Sequence, residues 1–123
     1  MKTNLATGHD GALQPAPAAS TFPVYSLMPA AGLLYSTVND LLRVLSVAMG
    51  YEHSQLRAAI TACLSTRRPK GNPNHEQALG WNVIGNGQDE LIFHDGGSLG
   101  FASCAVWDPA RRLGVTNFVI FQK

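Results

Sequence analysis

The segment His94-Asp95-Gly96-Gly97-Ser98-Leu99-Gly100-Phe101 concentrates the chemistry of this chain. A short strand leads into His94, and glycines follow at positions 96, 97 and 100. Glycines at that density let a ligand approach the backbone closely and leave N–H groups pointing outward. His94 is suited to carry a proton or to serve as a cationic anchor near neutral pH. The same residues also suit a bulged hairpin turn with a solvent-facing histidine, and spacing alone does not separate the two.

Other reactive side chains are more scattered. His75-Glu76 lacks the second histidine of a zinc helix motif and reads as a solvated loop. Arg67, Arg68 and Lys70 form a small basic cluster at a helix end, where cations suit the dipole. Trp81 and Trp107 read as core or sheet-face residues rather than substrate platforms. His9-Asp10 is a pair with nothing around it to recruit. Cys63 and Cys104 lie far apart, with no Cys-x-x-Cys and no histidine at zinc-finger spacing. They read as small buried hydrophobes rather than a disulfide or a reactive thiol. Nothing calls for a metal or a cofactor.

The elements that must position these residues follow from periodicity and punctuation. Pro15, Pro17, Pro23 and Pro29 make residues 1–35 extended and loop-like, with Phe22, Val24, Tyr25, Leu27 and Met28 available to pack down. Thr37 and Asp40 have capping-box spacing at the start of a helix. Val38, Leu41, Leu42, Leu45, Ala48 and Met49 line one face of it, and Gly50 closes it. Ser54 caps a second helix with Leu56, Ala59, Ile60, Cys63 and Leu64 on its apolar face. Arg67, Arg68 and Pro69 end that helix, so two helices occupy 36–68. The stretch RRPKGNPNHEQ reads as a loop.

Strands fill 79–121. They are expected at Leu79–Ile84, Leu91–His94, Phe101–Trp107 and Leu113–Phe121, with a turn at Gly85-Asn86-Gly87 and a hairpin at residues 108–112. The last strand is apolar on both alternating faces, which calls for a place inside a sheet covered on both sides. The expected fold is α+β, an antiparallel sheet of three to four strands with two packed helices.

Composition narrows the function classes. In 123 residues, 46% are hydrophobic and 14% charged, with a net charge of +1. That balance is too apolar for disorder and gives no electrostatic reason to expect a nucleic-acid partner. The apolar runs fall far short of the roughly 18 residues of a membrane helix, so no membrane partner is expected. The opening residues contain no signal-peptide core, and the sequence does not otherwise specify a compartment.

Four elements in order carry a resemblance: Ala31 to Leu41 (AGLLYSTVNDL), Leu79-Gly80-Trp81, His94 to Phe101, and Trp107-Asp108-Pro109. Together they resemble the serine β-lactamase-related family of class C β-lactamases, D-alanyl-D-alanine carboxypeptidases and lactamase-like esterases. The resemblance runs from about residue 5 to residue 121. It implies that His94-Asp95-Gly96 corresponds to the family's third motif, Lys-Thr-Gly or His-x-Gly. It implies that Gly97 donates a backbone N–H to an oxyanion hole, with His94 and Gly96 beside it, and that Asp95 and Ser98 meet the substrate. Losing one oxyanion donor costs roughly 3 kcal/mol.

The family's other two motifs are absent from these residues. Ser54-Gln55-Leu56-Arg57 has the spacing of Ser-x-x-Lys, but arginine stays protonated and cannot act as a base. Tyr25, Tyr35 and Tyr51 are followed two places on by Leu27, Thr37 and His53, so none forms Tyr-x-Asn or Tyr-x-Ser. The chain therefore resembles the C-terminal part of such an enzyme, a single incomplete domain over 1–123 that is inactive alone. If completed, it implies small ester, amide or β-lactam substrates. Asp95 stands where carboxylate-binding members place Thr or Ser, and an ionised Asp there repels a substrate carboxylate by about 1–4 kcal/mol. Alternatively Asp95 points away, or pairs with His94. The other class of reading is a non-catalytic module that binds partners or self-associates as a homo-oligomer.

Overall fold

Thr37 and Asp40 form a reciprocal capping box. The Thr37 hydroxyl accepts from the Asp40 N–H, and the Asp40 carboxylate accepts from the Thr37 N–H and hydroxyl. This satisfies donors that a helix start leaves orphaned. Helix α1 follows over Val38–Ala48, with Met49 as its C-cap. Helix α2 spans Leu56–Ser65. Its N-cap is Gln55 rather than the expected Ser54, although the Ser54 hydroxyl still accepts from the Leu56 N–H at 3.2 Å. The computed structural model describes residues 5–17, 27, 31–32, 34–98 and 100–120.

The fold is α+β, and its sheet has six strands rather than three or four: β1 (Arg67–Asn72), β2 (His75–Ala78), β3 (Asn82–Ile84), β4 (Leu91–Ser98), β5 (Phe101–Asp108) and β6 (Leu113–Val119). They lie in sequence order as an antiparallel meander. The extra pair comes from the stretch expected to be a loop. Arg67–Asn72 and His75–Ala78 form a hairpin, with Pro69 opposite Glu76 and a register shift between Pro69 and Asn72. Proline is tolerated there because β1 is an edge strand, where one side of the backbone needs no partner. The expected strand at Leu79–Ile84 begins later, at Asn82, because Leu79 and Gly80 form the bend between β2 and β3.

Two strand ends also move. β4 runs through the glycines to Ser98 instead of stopping at His94. β6 ends the sheet among the described residues, so its apolar faces are not enclosed as expected. Leu113 and Val115 are 65% and 64% exposed, and Phe118, Val119 and Ile120 are exposed as well. Phe121 lies outside the described residues, as do Phe22, Val24, Tyr25 and Met28; Leu27 is exposed.

The chain divides into two compact units. The larger comprises Thr37–His94 and Cys104–Thr116. Its core is Leu45, Ala78, Val83, Ile92, Ala105 and Trp107, with Ala48, Met49, Leu64 and Trp81 packed around them. Leu45 and Val83 are each 1% exposed, and burying such side chains contributes about 1.5–3 kcal/mol apiece. Gly114 lets β6 lie close to α1: a Cβ there would come within 3.1 Å of Met49 Cε and 3.3 Å of Leu45 Cδ1. Arg112 stacks over the Tyr51 ring at 4.0 Å, and the Tyr51 hydroxyl donates to the Arg112 carbonyl.

The smaller unit comprises Met1–Ser36, Asp95–Ser103 and Asn117–Lys123. Within it the proline-rich start is not simply extended, because Asp10 organises a tight turn. Its carboxylate accepts from the Ala12 and Gln14 N–H groups at 2.9 Å, and His9 bridges Pro15. The His9 N–H is shared between the Ile120 and Gly100 carbonyls at 2.9 and 3.2 Å. Among the described residues no helix is long and apolar enough to cross a membrane.

Candidate functional site

The length of β3 decides how β4 is presented. β3 has three residues, and its register with β4 pairs Asn82 with Phe93, Val83 with Ile92 and Ile84 with Leu91. Pairing on that side therefore stops at Phe93, and β4 continues from His94 to Ser98 without a β3 partner. Alternate N–H groups along this overhang point to the side that β3 leaves open. The segment contains the β4–β5 connection and its histidine is exposed, but the strand extends further than the spacing suggests. Gly96 and Gly97 lie within the strand, and the turn comes after Ser98.

Side chains along the overhang alternate between faces. His94, Gly96 and Ser98 share one face with Ile92, while Asp95 and Gly97 share the other. His94, Asp95, Gly96 and Gly97 are exposed and Ser98 is half-buried. A Cβ placed on Gly96 would meet nothing within 4 Å among the described residues. Asp95, consecutive with His94, projects to the opposite face and joins no ion pair among the described residues.

His94 is held by partners among the described residues. Its Nδ1 lies 2.8 Å from the Gly80 carbonyl oxygen in the bend between β2 and β3. That bend is tied down because the Ala78 N–H and the Gln77 side-chain amide both donate to the Trp81 carbonyl at 2.8 Å. The imidazole stands edge-on to Trp81, with centroids 6.0 Å apart and planes at 80°. Trp81 in turn meets the buried Trp107 edge-on at 4.7 Å and 86°. The two tryptophans act as core and sheet-face residues, and through Trp81 the core braces the histidine.

The other sequence candidates have structural partners. His75 and Glu76 are neighbours on β2, so their side chains project to opposite faces and do not converge on one ion. The His75 ring packs near Phe93, and its Nε2 is buried without a partner. Arg67 serves the end of α2 as its position suggests, donating from Nε to the Leu64 carbonyl. Its guanidinium also binds Glu90 through both Nη atoms at 2.8 and 3.1 Å, and Glu76 at 3.3 Å. The hydrogen bond it donates to Glu90 is the main cause of its raised pKa. Lys70 donates to the Asn82 side chain.

Asp10 is used by its own turn, which leaves no His9-Asp10 catalytic pair. Cys63 and Cys104 are free and half-buried. Ser54 lies in a shallow cleft of about 280 Å³ shared with Arg43, Val47, Glu52 and His53, whose polar side chains are all exposed.

Sequence reasoning missed the carbonyl of Gly80. The signal was present as Gly80-Trp81 in the bend, but its partner lies fourteen residues downstream. Residues 2–119 match a family model described as Beta-lactamase. No curated protein sequence matches the chain at a significant level.

Proposed function

This chain belongs to the β-lactamase family, and on that premise we propose that β4 forms the third-motif wall of a serine acyl-transfer site. The supporting observation is that, among the described residues, β4 extends from His94 to Ser98 beyond its pairing with β3. Acyl transfer passes through a tetrahedral oxyanion. Backbone N–H groups fixed on a free strand edge stabilise that charge without reorganising. The Gly97 N–H is such a donor, and Gly96 leaves room for the substrate to reach it. His94 carries a proton or anchors an anionic group, and Ser98, on the same face, contacts the substrate.

The nucleophile is not in these residues. No Ser-x-x-Lys occurs in the 123 positions, and Ser54 is followed at that spacing by Arg57. The serine and its lysine base therefore come from polypeptide outside this sequence. The chain is the C-terminal part of a β-lactamase-like domain and is inactive alone.

The test is turnover of a chromogenic ester and a chromogenic cephalosporin. The chain alone should give none. A fusion supplying Ser-x-x-Lys and Tyr-x-Asn should hydrolyse the ester, and His94→Ala in that fusion should cost on the order of 100-fold, a typical contribution of a positioned proton carrier. Turnover by the chain alone that survives Ser54→Ala and vanishes with His94→Ala would overturn the reading.

A second reading rests on a different strand. Among the described residues β6 ends the sheet and carries exposed apolar side chains on both faces, a combination that recruits partners. On this reading the scaffold is a non-catalytic module that self-associates through β6.

A further inference from the structure

We propose that Gly80 is the positioning residue for His94: its carbonyl holds Nδ1 as a hydrogen-bond donor, so that Nε2 is the nitrogen His94 presents outward. A carbonyl oxygen only accepts, so at 2.8 Å the imidazole Nδ1 must carry a proton whether the ring is neutral or charged. The neutral ring is then the Nδ1–H tautomer with its lone pair on Nε2, ready to accept a proton. The charged ring offers an Nε2–H donor. The consequence for catalysis rests on the acyl-transfer reading above, whereas the tautomer rests on geometry alone.

Three features hold the carbonyl in place. Gly80 has φ +76°, in the left-handed region that glycine enters without penalty. The bend around it is closed by the two hydrogen bonds to the Trp81 carbonyl. Trp81, wedged against Trp107, supports the imidazole edge-on and limits its rotation. A Cβ on Gly80 would meet nothing within 4 Å, so substitutions there test backbone conformation rather than crowding.

The experiment is a long-range proton–nitrogen correlation spectrum of the full chain labelled with ring-¹⁵N histidine, recorded at a pH where imidazoles are neutral. His94→Gln assigns its signals against those of His9, His53 and His75. His94 should appear as the Nδ1–H tautomer, the minor form of a free imidazole. Gly80→Val should transfer most of that population to the Nε2–H form. Gly80→Asn, which tolerates a left-handed backbone, should retain it. An Nε2–H tautomer in the unsubstituted chain overturns the proposal without any variant having to fold, and so does an unchanged ring in folded Gly80→Val. No substrate is involved, so either result leaves the acyl-transfer reading to be judged by its own turnover assay.

Discussion

Asp108 keeps its charge through one neighbour. Arg111 donates to it from Nη1 at 2.7 Å and from its backbone N–H at 2.8 Å, and these bonds hold the Asp108 carboxyl below the usual carboxylate range. A carboxyl with a depressed pKa in the fold adds stability above its unfolded pKa and loses it as pH falls through the folded value. Asp108→Asn should therefore lower the denaturation midpoint at pH 7. The difference from the parent chain should shrink as pH drops below about 4. A gap that stayed constant between pH 7 and pH 2 would mean that packing, not the ion pair, sets the effect. Both partners belong to one short turn, so Asp108-Pro109-Ala110-Arg111-Arg112 was readable as a hairpin. The capping box of Thr37 and Asp40 was readable for the same reason. His94 and Gly80 were not, since a contact across fourteen residues leaves no periodic trace.

At the scale of elements, α1 separates two leucines that periodicity treats alike. Leu45 is 1% exposed in the core, whereas Leu42 is 41% exposed on the same helix. Leu45→Ala should cost about 3 kcal/mol in chemical denaturation, because the site keeps a cavity that its neighbours only partly fill. Leu42→Ala should cost less than about 1 kcal/mol, because much of its side chain is already in water. Equal losses would show that α1 packs with a different face inward. The hairpin of β1 and β2 escaped the sequence reading because prolines and polar residues suppress the strand signal. Arg67 binds Glu76 on β2 and Glu90 just before β4, tying that polar segment to the sheet. The glycines after His94 resemble a turn in sequence, yet β4 runs through them to Ser98.

For the whole molecule, the self-association reading rests on β6, which ends the sheet among the described residues. The strand Leu113–Val119 carries no charged residue, and Val115 is 64% exposed. Light scattering of the chain should report an oligomer, and Val115→Lys should shift it to monomer, because charge on an edge strand blocks edge pairing. A monodisperse monomer before substitution would remove the self-association reading. By itself the sequence determined the α+β class, both helices, the β5–β6 hairpin and the family to which the chain belongs. Those properties live in local spacing and in ordered short motifs. Tertiary structure alone decided that the pairing of β3 with β4 stops at Phe93, that β4 continues through His94-Asp95-Gly96-Gly97-Ser98 without a β3 partner, and that the Gly80 carbonyl meets an imidazole nitrogen. Register and strand length are settled by which chain segments lie side by side, and no single segment encodes its neighbour.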